Sequence, residues 1–114
     1  QIIFMHHPPL NIGSAWLDDM KLENSSDFWQ IVSQSSNIKG VFCGHVHQDN
    51  ELSRNGVPVI TTPSTCIQFK RHSRVYQIER LQPGFRIIEA QDDETFSHHL
   101  VRLEPSDDFS VPLL

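Results

Sequence analysis

At two places in the chain, histidines directly follow an apolar run. His6 and His7 follow the first run, and His45 and His47 follow a later one. In open α/β sheets, ligands bind beyond the carboxyl ends of the strands. Neutral imidazole is a common ligand of zinc, iron, manganese and copper. The pattern therefore predicts a metal site, and the alternative is that these are loop histidines with hydrogen-bonded rings.

The two apolar runs predict buried strands at 1–5 and 38–43. Proline cannot donate to a strand ladder, so Pro8 and Pro9 end the first strand. A helix is predicted from Ser25 to about residue 36. Its apolar face is expected to contain the residues at helical spacing, which are Phe28, Ile31 and Val32. The order strand, helix, strand predicts a β-helix-β unit.

The second half has a pattern typical of antiparallel strands. Asn55 and Gly56 lie between two strand-like runs and form the strongest short hairpin signal in the chain. Further strands are predicted at 75–81, 85–90 and 96–103. The predicted fold class is therefore α/β, with a mixed sheet in which the β-helix-β unit is followed by an antiparallel meander.

The length of 114 residues predicts one domain or part of one. The chain begins at Gln1, directly before an apolar strand, so we expect it to be part of a longer protein. The domain is predicted at 1–103. The Pro-, Ser- and Asp-rich segment at 104–114 is predicted to be a flexible tail.

The composition excludes several classes of function. Nine Lys and Arg against 14 Asp and Glu give a net charge of −5, which argues against a nucleic-acid-binding surface. No apolar run is long enough to span a membrane, and no signal peptide is visible. The two cysteines, Cys43 and Cys66, do not form a disulfide framework. We expect a cytoplasmic protein that binds neither nucleic acid nor membrane.

The histidine blocks carry a resemblance to a known family. His-His-Pro-Pro at 6–9 and Gly-His-Val-His at 44–47 resemble the last two signature blocks of the calcineurin-like metallophosphoesterases. The segments at 14–18, 42–48 and 62–70 further resemble one branch, the bacterial 3′,5′-cyclic AMP phosphodiesterases of the Icc (CpdA) type. The resemblance implies the C-terminal half of a metallophosphoesterase α/β sandwich.

This resemblance also implies roles for individual histidines. His6 and His45 are expected to bind one metal and His47 the other. The family uses two divalent ions, here manganese, iron or zinc, to hydrolyse cyclic AMP to AMP. His7 is a candidate catalytic residue that contacts substrate or orients a neighbour, with a structural role as the alternative.

Three earlier blocks of the family are absent from this sequence: Asp-x-His, Gly-Asp and Gly-Asn-His followed by an acid. They supply a bridging carboxylate, an asparagine ligand and the histidine that protonates the leaving group. Imidazoles alone do not offset the charge of two divalent ions held close together. We therefore expect at most one metal in this chain, bound by His6, His45 and His47, and no activity from the 114 residues alone.

Three more residues are candidates for substrate binding. Trp16 and Phe69 are placed to stack on an adenine ring, with core or loop packing as the alternative. Thr65 is a candidate donor to phosphate, with capping of a turn as the alternative. His98 and His99 are neighbours in a predicted strand and face opposite sides, so they cannot chelate one metal together.

The expected partners are a cyclic nucleotide and protein. A sandwich divided in the middle exposes a sheet edge, which invites pairing with another chain. We expect self-association or pairing with the missing N-terminal half. A non-catalytic metal-binding or self-associating domain is the alternative from another functional class. A metallophosphoesterase with another phosphoester substrate is the alternative within the enzymes.

Overall fold

The structure, a computed structural model, describes residues 1–105. The predicted flexible tail at 104–114 therefore lies outside the described residues after its first two positions. The elements in chain order are β1 (Ile2–Met5), α1 (Ala15–Asp18), α2 (Ser25–Ser33), β2 (Gly40–Cys43), β3 (Asn50–Arg54), β4 (Val57–Thr61), β5 (Gln68–Phe69), β6 (Ile78–Glu79), β7 (Gly84–Ala90) and β8 (Phe96–Arg102).

The main sheet has the strand order β1-β2-β4-β3. Strands β1, β2 and β4 are parallel, and β3 is antiparallel to β4. Both helices lie between β1 and β2 in the chain. In the register of these two strands, Met5 is opposite Cys43. The residues that follow Met5 and Cys43 therefore emerge side by side at one edge of the sheet.

Helix α2 covers the sheet with a face that includes two of the three predicted residues, since Val32 is buried in the core and Phe28 packs against it. Trp29 and Val32 are buried against Val41 and Val59, whereas Ile31 is 68% exposed. Trp29 and Val32 are three residues apart and so share one side of a helix. The Trp29 indole N–H donates to the carbonyl of Pro9 at 2.7 Å, which satisfies its buried polar atom. The predicted face was thus wrong at Ile31.

The hairpin between β3 and β4 confirms the Asn-Gly prediction. Arg54 is opposite Val57, so the loop consists of two residues. Asn55 has φ 52° and Gly56 has φ 81°. Positive φ at both positions is the requirement of the type I′ turn, whose twist matches that of the paired strands.

The rest of the second half differs from a continuous meander. Strands β5 and β6 form one two-stranded sheet, and β7 and β8 form another. Of the strand predicted at 75–81, only Ile78–Glu79 forms a strand, which is β6. Pro63 follows β4 and Pro83 follows β6, and proline has no N–H for a ladder. The prediction of one continuous meander was therefore wrong, because these strands form two separate two-stranded sheets.

Neither helix found in residues 1–105 has the length and apolar character needed to cross a bilayer.

Candidate metal centre

The parallel pairing of β1 and β2 brings His6 and His45 together. The backbone N–H of Gly44 lies 3.3 Å from the carbonyl of Met5 and 3.1 Å from that of His6. The Nε2 of His6 and the Nδ1 of His45 are 3.2 Å apart. Two nitrogens bound to one tetrahedral zinc, each about 2.0–2.1 Å from it, are separated by about 3.3 Å. The pair therefore has the spacing of two ligands of one ion.

His7 is the third member of this group. The ligand atoms of His6, His7 and His45 all lie within 4.8 Å of one another. The Nδ1 of His7 is 2.7 Å from the carbonyl oxygen of Met20. A carbonyl only accepts, so Nδ1 carries the proton and Nε2 keeps its lone pair for a metal. The structure thus places the candidate catalytic residue His7 among the candidate ligands.

His47, the third predicted ligand, is outside this group. Its Nδ1 donates to the carbonyl of Ile67 at 3.0 Å, which again leaves Nε2 as the free lone pair. Its ring is stacked on Phe69 with centroids 4.1 Å apart and planes 2° apart. His47 is therefore oriented as a ligand by protein groups, but its nitrogens are not among the ligand atoms that lie within 4.8 Å of one another.

The loop that carries His45 and His47 has an unusual backbone. His45 has φ 70° and His47 has φ 51°, in the left-handed region that is uncommon for residues other than glycine. Between them, Val46 is only 1% exposed and packs with Ile12 and Leu17. Such conformations persist where the surroundings fix them. The buried Val46 anchors the loop between the two histidines.

The electrostatic environment favours neutral imidazoles. Burial lowers the pKa of His45, and the neighbouring His7, His6 and His47 lower it further. Burial also lowers the pKa of His47, with His6 adding to the effect, although the hydrogen bond to the Ile67 carbonyl raises it. A metal binds the deprotonated ring, so a lowered pKa keeps both side chains available as ligands.

These donors fit one divalent transition metal. All three nitrogens of the His6, His7 and His45 group suit zinc, iron or manganese, and the group contains no carboxylate. The Nε2 of His45 is buried without a hydrogen-bond partner. Metal-binding histidines usually donate their second N–H to an oxygen. His7 and His47 meet that condition through backbone carbonyls, and His45 does not.

Two of the three predicted substrate-binding residues lie beside His47. Trp16 and Phe69 are in edge contact at 5.0 Å between centroids, and Tyr76 contacts both at 5.5 Å. One face of Phe69 is occupied by the His47 ring. Packing in this aromatic cluster is therefore established, and the stacking of a substrate base on Trp16 or Phe69 stays a prediction.

Thr65 lies in a different environment from the histidines. It is exposed and lines an apolar cavity of about 150 Å³ with Pro83, Gly84, Phe85 and Leu103. Its role as a phosphate donor stays a prediction. On β8, His98 is half-buried and His99 is exposed, as the alternation of a strand requires.

Sequence reasoning missed the groups that orient the rings. The carbonyls of Met20 and Ile67 carry no side-chain signal, and Tyr76 was not identified as part of the aromatic cluster. Arg86 on β7, which forms an ion pair with Asp49 37 residues away, was also not identified. Only a tertiary structure reveals contacts of this kind.

No protein-family model matches the chain. Individual relatives do match it. A 3′,5′-cyclic adenosine monophosphate phosphodiesterase CpdA of Vibrio vulnificus is 47% identical over 85 residues, which are 75% of this chain and 31% of that protein. The protein of the same name in Escherichia coli strain K12 is 35% identical over 102 residues, or 90% of this chain and 37% of the relative.

A 3′,5′-cyclic-nucleotide phosphodiesterase of Nostoc is 34% identical over 112 residues, which are 98% of this chain and 41% of the relative. The chain thus spans 31–41% of the length of these three relatives. The alignment with the Nostoc relative covers 98% of this chain and therefore extends over both histidine blocks. On this similarity, the chain belongs to the family of the CpdA-type 3′,5′-cyclic nucleotide phosphodiesterases.

Proposed function

We propose that this chain supplies part of the active site of a metal-dependent phosphodiesterase that hydrolyses 3′,5′-cyclic AMP to AMP. The observation that carries the proposal is the 3.2 Å separation of the His6 and His45 nitrogens at the ends of two parallel strands. The names of the relatives support the substrate, since several are cyclic AMP phosphodiesterases.

In this proposal the three predicted ligands His6, His45 and His47 have defined tasks. His6 and His45 hold one divalent ion, manganese, iron or zinc, through Nε2 and Nδ1. His47 presents Nε2 to a second ion, with its ring held by the Ile67 carbonyl and Phe69. A bound divalent ion supplies Lewis-acid stabilisation of charge on the phosphoryl oxygens.

We propose further that the 114 residues alone are inactive and bind at most one ion. The three-histidine group contains no carboxylate. Neutral ligands leave the repulsion between two close divalent cations uncompensated. Calcineurin-like metallophosphoesterases, the wider family proposed for this chain, meet that requirement with Asp-x-His and Gly-Asp blocks, which are absent from this sequence.

A chimeric enzyme tests the proposal. In the chimera this chain replaces the matching segment of the Vibrio vulnificus relative. We expect the chimera with added manganese to convert cyclic AMP to AMP, measured by chromatography, and the isolated chain to produce none. His45→Ala in the chimera should abolish the activity, and His99→Ala should preserve it. Hydrolysis by the isolated chain, or an active His45→Ala chimera, would contradict the proposal.

A non-catalytic metal-binding or self-associating domain is the second candidate. It is favoured by the edge of the main sheet, because β1 pairs only with β2 among the described strands. On β1, Phe4 is 66% exposed and stacks on Phe42. Sedimentation of the isolated chain distinguishes the two candidates when it is combined with the chimera. A dimer that binds zinc, together with an inactive chimera, supports the non-catalytic domain.

A further inference from the structure

Arg86 on β7 has an almost completely buried guanidinium, with its side chain 3% exposed. It forms an ion pair with the Asp49 carboxylate and donates to the carbonyl of Thr61 at 3.1 Å. It also donates to the hydroxyl of Thr62 at 3.4 Å and to Nδ1 of His98 at 2.9 Å. A guanidinium is always charged and has no acceptor, so Arg86 is the donor in every one of these contacts.

The first consequence concerns the loop that contains His47. Asp49 is two residues after His47, and its carboxylate is held by Arg86. The intervening residue, Gln48, is fixed through its carbonyl, which accepts a 2.6 Å hydrogen bond from the Thr61 hydroxyl. Arg86 holds the carbonyl of that same Thr61. The backbone directly after His47 is therefore fastened to β4 and β7 together.

The second consequence concerns the group that orients the His47 ring. The Ile67 carbonyl accepts a hydrogen bond from the Nδ1–H of His47, with the two atoms 3.0 Å apart. Ile67 ends the loop that begins at Thr62, and the Thr62 hydroxyl accepts from Nε of Arg86. The Arg86 guanidinium thus binds the segment that follows His47. It also binds the start of the loop whose Ile67 carbonyl accepts the hydrogen bond from His47.

We propose that Arg86 is a positioning residue for His47. His47 has a positive φ of 51°, a conformation that persists where the surroundings fix it. Arg86 supplies that constraint from outside the loop, and it keeps the Nδ1–H of His47 hydrogen-bonded to the Ile67 carbonyl so that Nε2 stays free. The inference rests on the proposed function, in which His47 is a metal ligand.

The rival explanation is that Arg86 only attaches the β7–β8 hairpin to the main sheet. Arg102 provides a matched control, because it lies on the same hairpin and donates to the carbonyl of Gln82 at 2.7 Å. Arg102→Gln removes a guanidinium hydrogen bond of the hairpin without touching Asp49, Thr61 or Thr62. A merely structural role predicts similar consequences for Arg86→Gln and Arg102→Gln.

The experiment is NMR of the metal-free chain with ¹⁵N-labelled histidine rings, together with a thermal unfolding curve for each variant. In the unchanged chain we expect a His47 ring protonated at Nδ1. In Arg86→Gln we expect that Nδ1–H resonance to be lost and the ring nitrogen shifts to move toward the average of two tautomers. Arg86→Lys keeps the charge opposite Asp49 but not the fork of donors, so it should restore part of the signal.

Arg102→Gln should leave the His47 resonances in place even if it lowers the unfolding temperature. Unchanged His47 resonances in folded Arg86→Gln, or equal changes in the two glutamine variants, would overturn the inference. Should Arg86→Gln fail to fold, Thr62→Val carries the test, because it removes a single contact of Arg86. It should cause a smaller shift of the same sign, and an unchanged His47 in that variant also overturns the inference.

Failure of the proposed function gives a different result. In that case the unchanged chain keeps the His47 resonance and its dependence on Arg86, while the chimera with the Vibrio vulnificus relative is inactive. The positioning role then stands, and the phosphodiesterase role falls.

Discussion

His45 and His47 are two residues apart in one loop, yet their rings are held in different ways. Both have a positive φ, and burial lowers the pKa of both. The His45 ring faces other imidazoles, with His6 Nε2 at 3.2 Å and the His7 centroid at 4.2 Å. The His47 ring faces a backbone carbonyl and the flat side of Phe69.

This difference in surroundings corresponds to two ways in which a histidine ring is held before a metal binds. A ring held by a carbonyl and an aromatic face keeps its tautomer and orientation with no ion present. A ring whose polar neighbours are imidazoles is fixed only when an ion or a proton is shared among them. We therefore expect the His6, His7 and His45 group to respond strongly to zinc, and the surroundings of His47 to respond weakly.

The largest expected effect is on zinc binding by the isolated chain. His45→Ala removes the nitrogen 3.2 Å from that of His6 and leaves only His6 and His7 of the group of three. The zinc affinity should fall by more than the roughly 10–100-fold cost of losing a partner outside the coordination sphere. Competition against a chromogenic chelator measures this, with His99→Ala on the exposed side of β8 as the control. Equal affinity in the two variants would show that the pair does not bind the ion.

A contrast between His7→Ala and His47→Ala sharpens the comparison. The ligand atom of His7 belongs to the group within 4.8 Å, whereas His47 does not. We expect His7→Ala to weaken zinc binding by the isolated chain by roughly tenfold or more, as loss of a ligand or its support does. His47→Ala should leave the affinity nearly unchanged. The reverse result would restore the ligand set that the sequence predicts, with His6, His45 and His47 on one ion.

Much of the frame that carries the site could be predicted from the sequence. Apolar runs that end in histidines predicted two neighbouring strands, and β1 and β2 are parallel neighbours. The Asn55-Gly56 pair predicted the hairpin, because few residues tolerate positive φ at both positions. On α2 the exposure of Ile31 and the burial of Trp29 were missed, because both residues are apolar and periodicity alone does not rank them.

Less of the site itself could be predicted. Spacing in sequence places His45 and His47 together, but the positive φ values around the buried Val46 give their rings different neighbours. Backbone torsions of this kind depend on tertiary contacts. The contact of Arg86 with Asp49 spans 37 residues and joins strand β7 to the loop before β3. No local pattern in the sequence encodes such a contact.

A smaller effect is expected in the pH dependence of stability without metal. The pKa of His45 and that of His47 lie below the ordinary value of 6.5 in the folded chain. The unfolded chain therefore binds more protons as the pH falls below 6.5. Stability is complete above that value and decreases as the pH falls toward the lowered values. The urea midpoint should be lower at pH 5 than at pH 7.5.

The same measurement on variants tests the two histidines one at a time. Burial lowers the pKa of both, and neighbouring histidines add to this effect. His45→Gln and His47→Gln should therefore each flatten the pH profile of the urea midpoint relative to the unchanged chain. A steeper profile in His45→Gln would mean that the imidazole group is not the source of the pH dependence.

The smallest expected effect is the coupling between Phe69 and His47. Their rings are stacked at 4.1 Å, and stacked aromatic pairs contribute about 0.5–1.5 kcal/mol beyond the burial of their area. Phe69→Leu and His47→Ala should show a coupling free energy of that size in a double-mutant cycle of urea unfolding. The matched cycle with His45→Ala should give a value near zero, because the His45 ring contacts His6 and His7 instead. Equal coupling in both cycles would mean that Phe69 supports the loop as a whole. The distinction between His47, held by a carbonyl and Phe69, and His45, held by other imidazoles, would then be wrong.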